Sequence, residues 1–148
     1  MASKCCVFIL ITAAVALSLA GCSTGDNGAL TGTWMGGVGE ETFLSSCSVG
    51  DTVDVTIKIN ADKSWSWSTN GVNDSSLDST GSGTYTLDTT AKTAQFTIAT
   101  CSSSEVAAGT VAVANYSLNS SGTTVTFDFH GTTGATGGSI ALSKLAAQ

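Results

Sequence analysis

The sequence predicts an all-β protein, an eight-stranded antiparallel barrel of the up-and-down type, from three observations. Ser, Thr and Gly dominate between short apolar runs and proline is absent, which is a composition of strands and turns. Eight segments carry apolar residues at alternate positions, as strands with one buried face do. Short and long connections alternate between them. In an up-and-down barrel, that alternation puts every short turn at one end and every long loop at the other.

The predicted strands differ in how regular their alternation is. In Thr52 to Ile59, Val or Ile occupies every second position, which is the clearest strand pattern in the chain. Val111 to Leu118 is the least regular, because its valines and Tyr116 have opposite parity, and we expect a bulge near Asn115. The predicted strands are Gly32 to Val38, Thr52 to Ile59, Ser64 to Thr69, Gly83 to Leu87, Thr93 to Thr100, Val111 to Leu118, Thr123 to His130 and Ser139 to Ser143.

The connections favour closure into a barrel. Three are short and contain Asn, Asp or Gly, as hairpin turns require. Eight one-sided strands must cover their apolar face, and a barrel does so while removing exposed edges. A β-sandwich is the alternative. The short connections are Asn60 to Lys63, Asp88 to Lys92 and Asn119 to Gly122; the long ones are Gly39 to Asp51, Asn70 to Ser82, Cys101 to Thr110 and Gly131 to Gly138.

The first 21 residues have the features of an export signal. Lys4 supplies a positive start, and Val7 to Leu19 is almost entirely apolar but short for a bilayer span. The segment ends in Leu19-Ala20-Gly21-Cys22, which resembles the lipobox of bacterial lipoproteins. The resemblance implies a signal peptide over residues 1–21 and a mature protein that begins at a lipid-modified Cys22, whose thiol is the nucleophile. An ordinary secretory signal is the alternative.

The lipobox resemblance also implies a location and a domain organisation. Cys5 and Cys6 leave with the signal, and acyl chains on Cys22 anchor the protein to a membrane without a transmembrane helix. Ser23 in place of Asp implies the outer membrane in a Gram-negative cell, or the outer face of the cytoplasmic membrane where there is only one. Residues 22–30 are predicted as the lipidated terminus and a flexible tether, and residues 31–148 as a single barrel domain.

Gly32-Thr33-Trp34 resembles the Gly-x-Trp that opens the first strand of lipocalins. The predicted strand number, the meander order and the apolar last strand are also similar to those of bacterial lipocalin-like lipoproteins. The resemblance implies that Trp34 covers the closed end of the barrel. The chain departs from the family in two respects, since it has no arginine to pack over Trp34 and no carboxy-terminal helix after the last strand. The resemblance implies no particular ligand.

Cys47 and Cys101 are the mature cysteines besides Cys22. An exported protein meets an oxidising compartment, and both residues belong to long connections at the same predicted end. We therefore predict a disulfide that draws one loop across the barrel mouth. Closing about 55 residues of chain would stabilise the fold by roughly 4 kcal/mol. Two free thiols, or pairing with another chain, are the alternatives.

Eight aromatic residues have the parity of the inner face. They would line either a pocket for an apolar ligand or a filled core. A barrel of eight strands is wide enough for one or the other. The short strands and three tryptophans favour the filled core. The eight residues are Trp34, Trp65, Trp67, Tyr85, Phe96, Tyr116, Phe127 and Phe129.

The remaining polar candidates are weak. His130 is the only histidine and is expected outside the barrel, so neither a metal cluster nor a catalytic triad is expected. One loop is rich in the oxygen ligands that calcium prefers, but its spacing does not match an EF-hand and a solvated turn is favoured. Its residues are Asn70, Asn73, Asp74 and Asp78. Glu40 and Glu41 are interpreted as solubilising charges.

Composition limits the classes of function. The net charge is −6, and one unit more negative once Lys4 is removed, so we expect no nucleic-acid binding and repulsion from anionic headgroups. No nucleophile is paired with a base, so the sequence predicts no enzyme, cofactor or metal.

We expect a membrane-anchored binding or interaction barrel that presents four long loops away from the membrane. Its partner would be an apolar small molecule in the barrel, or an envelope protein or glycan at the loop rim. A structural envelope protein without a ligand, or a membrane-spanning barrel with its apolar face outward, are the alternatives; the strands are short for the latter.

Overall fold

The structure is a computed structural model that describes residues 26–39, 52–102, 106–130 and 138–146. It confirms the predicted architecture, because eight antiparallel strands pair in chain order and close into one up-and-down barrel. The β-sandwich alternative is therefore wrong. A short helix, α1 (Asp26–Leu30), precedes the barrel. The strands are β1 (Gly32–Gly39), β2 (Thr52–Ile59), β3 (Ser64–Gly71), β4 (Ser79–Asp88), β5 (Thr93–Cys101), β6 (Val111–Leu118), β7 (Thr124–Phe129) and β8 (Gly138–Lys144).

The core of the protein is the barrel interior. In β2, Val53 and Val55 are 2% exposed, and Ile57 and Ile59 are 1% exposed, while Lys58 between the last two points outward. Inward residues from all eight strands form one buried apolar cluster. The alternating sequence pattern follows from this arrangement, since successive side chains of a strand point to opposite faces.

β4 begins four residues earlier than predicted, at Ser79 rather than Gly83. The added residues were missed because their inward positions hold Ser79 and Gly81, which give no apolar period. The connection from β3 to β4 is correspondingly shorter, and contains a 3-10 helix over Ser75–Leu77. The other predicted strands end within two residues of the observed ones.

The bulge predicted near Asn115 is wrong. β6 pairs without a register shift with both β5 and β7, and Ala112 and Ala114 face the core in line with Tyr116. The two valines that suggested the inner face lie outward, and Val111 is 40% exposed. The irregularity lies instead between β4 and β5, where the register shifts between Ser82 and Gly83.

α1 corrects the predicted tether. Leu30, the last residue of the helix, is 0% exposed and belongs to the core cluster. The last part of the predicted tether, α1, is thus folded against the barrel, so the domain includes residues before the predicted start at Thr31. The preceding residues, including the signal segment and Cys22, lie outside the described residues.

The barrel has two different ends. We call the end with the turns 60–63, 89–92 and 119–123 the short-turn end; β1 begins there, β8 ends there, and α1 packs against it. We call the opposite end the long-loop end. Of its connections, residues 40–51, 103–105 and 131–137 lie outside the described residues.

Candidate functional site

The aromatic residues predicted to face inward form the centre of the barrel. All eight are buried, with exposures from 0% to 6%. Phe96 lies in the middle, with ring centroids 4.7 Å from Trp65, 5.6 Å from Phe127 and 6.0 Å from Phe129. The tilted and edge-on geometries are those that aromatic pairs prefer. The rings thus contact one another across the interior.

Two tryptophans of β3 stack on one another and on glycines of β4. The Trp65 and Trp67 rings are 4.8 Å apart and 21° from parallel. Their cross-strand partners are Gly83 and Gly81. A β-carbon at Gly81 would lie 1.8 Å from the Trp67 ring, so only glycine leaves room for the indole. Because Gly81 and Gly83 have no side chains, the two tryptophans can pack directly over the backbone of β4.

The interior is apolar and its few polar atoms have partners. Among the described residues, the buried polar side chains are those of Thr69 and Ser79, and no buried side-chain nitrogen or oxygen lacks a hydrogen bond. The Thr69 hydroxyl donates to the Leu77 carbonyl at 2.7 Å. The Trp65 indole N–H donates to the Thr97 carbonyl at 3.4 Å. Among the described residues, no side chain of Asp, Glu, Lys or His is buried.

Trp34 and Leu30 close the short-turn end. The Trp34 indole N–H donates to the Leu30 carbonyl at 2.7 Å, and both side chains are 0% exposed. Lys144 of β8 places its Nζ 5.1 Å from the centre of the Trp34 ring and donates to the Ala29 carbonyl at 2.9 Å. A lysine therefore lies over Trp34 in a chain that has no arginine.

Two more lysines of the short-turn end lie over aromatic rings. Lys63 Nζ is 5.4 Å from the centre of the Tyr85 ring, and Lys92 Nζ is 5.8 Å from that of Tyr116. Both lysines have left-handed backbones, with φ of 70° and 55°, a conformation that costs a non-glycine residue about 1 kcal/mol. Gly122, in the third short turn, has a φ of 66°. The first two turns thus carry a lysine where glycine is the least strained residue.

Tyr85 is held in its neutral form at this end. Its hydroxyl donates to the Asn60 carbonyl at 2.9 Å. Burial, followed by the negative charge of Asp62, raises the pKa of Tyr85 above its ordinary value of 10.0. Asp62 accepts hydrogen bonds from the hydroxyl and backbone N–H of Ser64, which lower the pKa of its carboxyl group.

An open groove of about 510 Å³ lies beside α1 at the short-turn end. It is lined by Ala29, Lys92, Tyr116 and residues 117–122. The Asn119 side chain fixes the turn in its wall, since it accepts the backbone N–H groups of Thr123 and Thr124 at 2.8 and 3.0 Å. The groove thus combines a lysine with hydroxyl groups.

Two of the four residues considered for calcium at the long-loop end, Asp74 and Asp78, accept hydrogen bonds from nearby backbone N–H groups. All four, Asn70, Asn73, Asp74 and Asp78, are exposed. Hydrogen bonds from the hydroxyl and the backbone N–H of Ser76, the latter at 2.8 Å, lower the pKa of the Asp74 carboxyl group. The Asp78 carboxylate accepts the backbone N–H of Gly71 at 2.9 Å. Among the described residues, no three His, Cys, Asp or Glu side chains lie close enough to hold a metal ion.

The cysteine pair is described only in part. Cys101 ends β5 as a partly exposed free thiol, with its Sγ 3.8 Å from the Ser79 hydroxyl oxygen. Cys47 lies outside the described residues, as do Glu40 and Glu41. The disulfide between Cys47 and Cys101 therefore stays a prediction. His130 is exposed, and its Nε2 hydrogen-bonds the Asn115 amide at 2.9 Å.

Comparison with protein-family models, with curated proteins and with solved structures finds no match for this chain. The lipocalin resemblance of Gly32-Thr33-Trp34 thus rests on those residues and on the barrel itself. Within the described part of the chain, no helix has the length and apolar character to cross a membrane.

Sequence reasoning missed Leu30 and the lysines of the short-turn end. A signal for the lysines was present, because Lys63 and Lys92 each end a predicted short turn and Lys144 follows the last predicted strand. Placing the strands in a meander was sufficient to bring these positions together. Leu30 had no such signal, since a single leucine in a polar segment has no period.

Proposed function

We propose that the chain is the precursor of a bacterial lipoprotein, anchored through a lipid on Cys22, whose barrel is a non-enzymatic binding or interaction module. The proposed location is the outer membrane, or the outer face of the cytoplasmic membrane in a cell that has only one. The loops of the long-loop end point away from the membrane and carry the recognition surface, as loops on a rigid scaffold commonly do.

The main support is the position at which the amino-terminal segment reaches the barrel. α1 packs against the short-turn end, where Leu30 is buried beside Trp34. An anchor on Cys22, four residues before Asp26, therefore attaches next to this end. The long-loop end is then the part of the barrel farthest from the bilayer.

The packing of the interior favours a loop-rim partner over a small apolar ligand inside the barrel. The aromatic rings contact one another across the interior, with Phe96 at the centre and 0% exposed. Filled interiors and single-ligand cavities both occur in eight-stranded barrels. Close contacts between aromatic rings are a property of filled interiors. The proposed partner is an envelope protein or a glycan.

Metabolic labelling with an alkyne-tagged palmitate in a bacterial host tests the anchor. The full chain is expected to incorporate the label and to fractionate with membranes. Cys22→Ala removes the acceptor thiol, so it is expected to lose the label and to keep its signal peptide. The matched control is Cys5→Ala with Cys6→Ala, which removes the two cysteines of the proposed signal peptide and is expected to label like the wild type. Equal labelling of the Cys22→Ala chain would exclude lipidation at Cys22.

Native mass spectrometry of the protein, extracted gently from its host, separates the interaction module from a carrier. The interaction module is expected to show the mass of the protein alone. A stoichiometric adduct that is lost on unfolding would instead establish a carrier and give the mass of its ligand.

A further inference from the structure

All four lysines of the proposed mature chain lie at the short-turn end. Lys58 lies near the end of β2, Lys63 and Lys92 lie in the first two short turns, and Lys144 ends β8. The first three are exposed and Lys144 is partly exposed. The positive side chains thus surround one end of the barrel.

The carboxylates are distributed differently. Among the described residues, Asp62, Asp88 and Asp26 are the acids of the short-turn end, where the four lysines exceed them. The long-loop halves of the described strands and their connections have no lysine. Their acids are Asp54, Asp74, Asp78 and Asp128. The barrel is therefore a charge dipole along its axis, and the repulsion from anionic headgroups expected from its net charge does not describe the short-turn end.

The proposed anchor limits the distance between this end and a membrane. Asp26 is the fourth residue after Cys22, and four residues of extended chain span at most about 14 Å. α1 packs against the short-turn end through Leu30, and Ala29 accepts a hydrogen bond from Lys144. Charges interact over about 10 Å at 0.1 M salt. An anchored barrel thus holds α1, and the short-turn end against which it packs, at a distance from the headgroups that is comparable to this range.

A second observation, which does not depend on the length of chain between Cys22 and Asp26, is the local structure of two of the lysines. Lys63 and Lys92 have the left-handed backbone that favours glycine, and each lies over a tyrosine ring. The ring contact orients each lysine at the rim of the short-turn end. Lys92 also lines the open groove beside α1.

From these observations we propose that the short-turn end docks on an anionic lipid bilayer through Lys58, Lys63, Lys92 and Lys144. The inference rests on the proposed anchor at Cys22 and goes beyond it by assigning the contact surface and the lipid chemistry. The lysines face the phosphates and the acidic long-loop end is repelled, so the barrel stands end-on. Each lysine near an anionic surface strengthens binding about fivefold.

Lysine footprinting of the lipidated protein in vesicles tests the docking. The protein is reconstituted into phosphatidylcholine vesicles with or without 30% phosphatidylglycerol, and each lysine is modified with an amine-reactive ester. We expect Lys58, Lys63 and Lys92 to react at least threefold more slowly on the anionic vesicles. Because salt screens the contact, 0.5 M NaCl is expected to remove the difference.

A charge-matched pair of variants controls for net charge. Lys58→Gln with Lys92→Gln removes two positive charges from the proposed docking face and is expected to reduce the protection of Lys63. Asn73→Asp with Ser139→Asp changes the net charge equally through exposed residues at the long-loop end, and is expected to leave the protection intact.

The outcomes separate the docking from the anchor. Protein that floats with both kinds of vesicle but reacts at equal rates on each would overturn the docking and leave the anchor in place. Protein that floats with neither would overturn the anchor, and with it this inference. Equal loss of Lys63 protection in both variants would assign the effect to net charge and also overturn the docking surface.

Discussion

At the scale of single residues, the interior is shaped by glycines as much as by aromatic rings. Gly81 and Gly83 lie opposite Trp67 and Trp65. The parity of Trp65 and Trp67 is visible in the sequence, because serines alternate with them from position 64 to position 68. The strand that receives them was only partly visible, since glycine in a strand contributes no apolar period. The sequence therefore predicted which rings face inward but not what they pack against.

Replacement of these glycines is expected to destabilise the barrel. In Gly81→Ala the new β-carbon would lie 1.8 Å from the Trp67 ring, and in Gly83→Ala 1.8 Å from the Thr97 carbonyl oxygen. We expect each to lower the free energy of unfolding by about 1–3 kcal/mol, the usual cost of overpacking. Urea denaturation followed by tryptophan fluorescence measures it.

Gly37→Ala is the matched control, because its β-carbon would meet nothing closer than Asp54 Oδ1 at 3.7 Å. We expect a change within about 0.5 kcal/mol. Equal effects at Gly81 and Gly37 would contradict the proposed role of the tryptophan contact.

Tyr85 is expected to make stability depend on alkaline pH. Its pKa is raised above 10.0 in the folded protein by burial and by Asp62. The folded state thus retains the phenolic proton more strongly than the unfolded chain. The resulting stabilisation is complete below pH 10 and is lost as the pH rises through the raised pKa. As the pH rises above about 10, the wild type should lose stability more steeply than Tyr85→Phe. Parallel profiles of the two proteins would refute the effect.

At the scale of elements, α1 is the largest departure from the sequence prediction. Its polar composition is typical of a tether, and its described contacts with the barrel come from Leu30 and from the carbonyl groups of Ala29 and Leu30. β6 departs for a related reason, since its inner positions hold small alanines while its valines face outward. In both elements the tertiary contact, rather than the local pattern, decides which residue is buried.

Leu30→Ala tests whether α1 belongs to the folded domain. Because Leu30 is 0% exposed, its truncation is expected to lower the free energy of unfolding by about 2–5 kcal/mol. Leu145→Ala removes the same atoms from a side chain that is 47% exposed, and is expected to change it by less than about 0.5 kcal/mol. A flexible tether would make both substitutions neutral in the same denaturation assay.

The predicted bridge between Cys47 and Cys101 is testable by mass. Intact mass spectrometry of the exported protein without reductant is expected to give a mass two hydrogens below that of the reduced protein. The bridge is expected to contribute roughly 4 kcal/mol of stability. Cys101→Ser should abolish the mass difference. Identical masses with and without reductant would rule out the intrachain bond.

At the scale of the whole molecule, the order of the strands and the lengths of their connections link the sequence to the proposed function. The alternation of short and long connections predicted the barrel, because eight one-sided strands have few other ways to bury one face. The same meander collects the lysines at the end next to α1, although they are far apart in the chain. The rim partner was not predictable, because recognition depends on loop side chains rather than on periodicity.

The proposed function depends most on the chemistry at Cys22, and mass spectrometry of the amino-terminal peptide tests it most directly. Protein extracted from host membranes with detergent is digested, and the terminal peptide is sequenced by fragmentation. We expect a peptide that begins at Cys22 and carries a diacylglycerol on its sulfur. An unmodified peptide that begins at any other residue, or a retained leader, would contradict the lipoprotein assignment and the end-on docking derived from it.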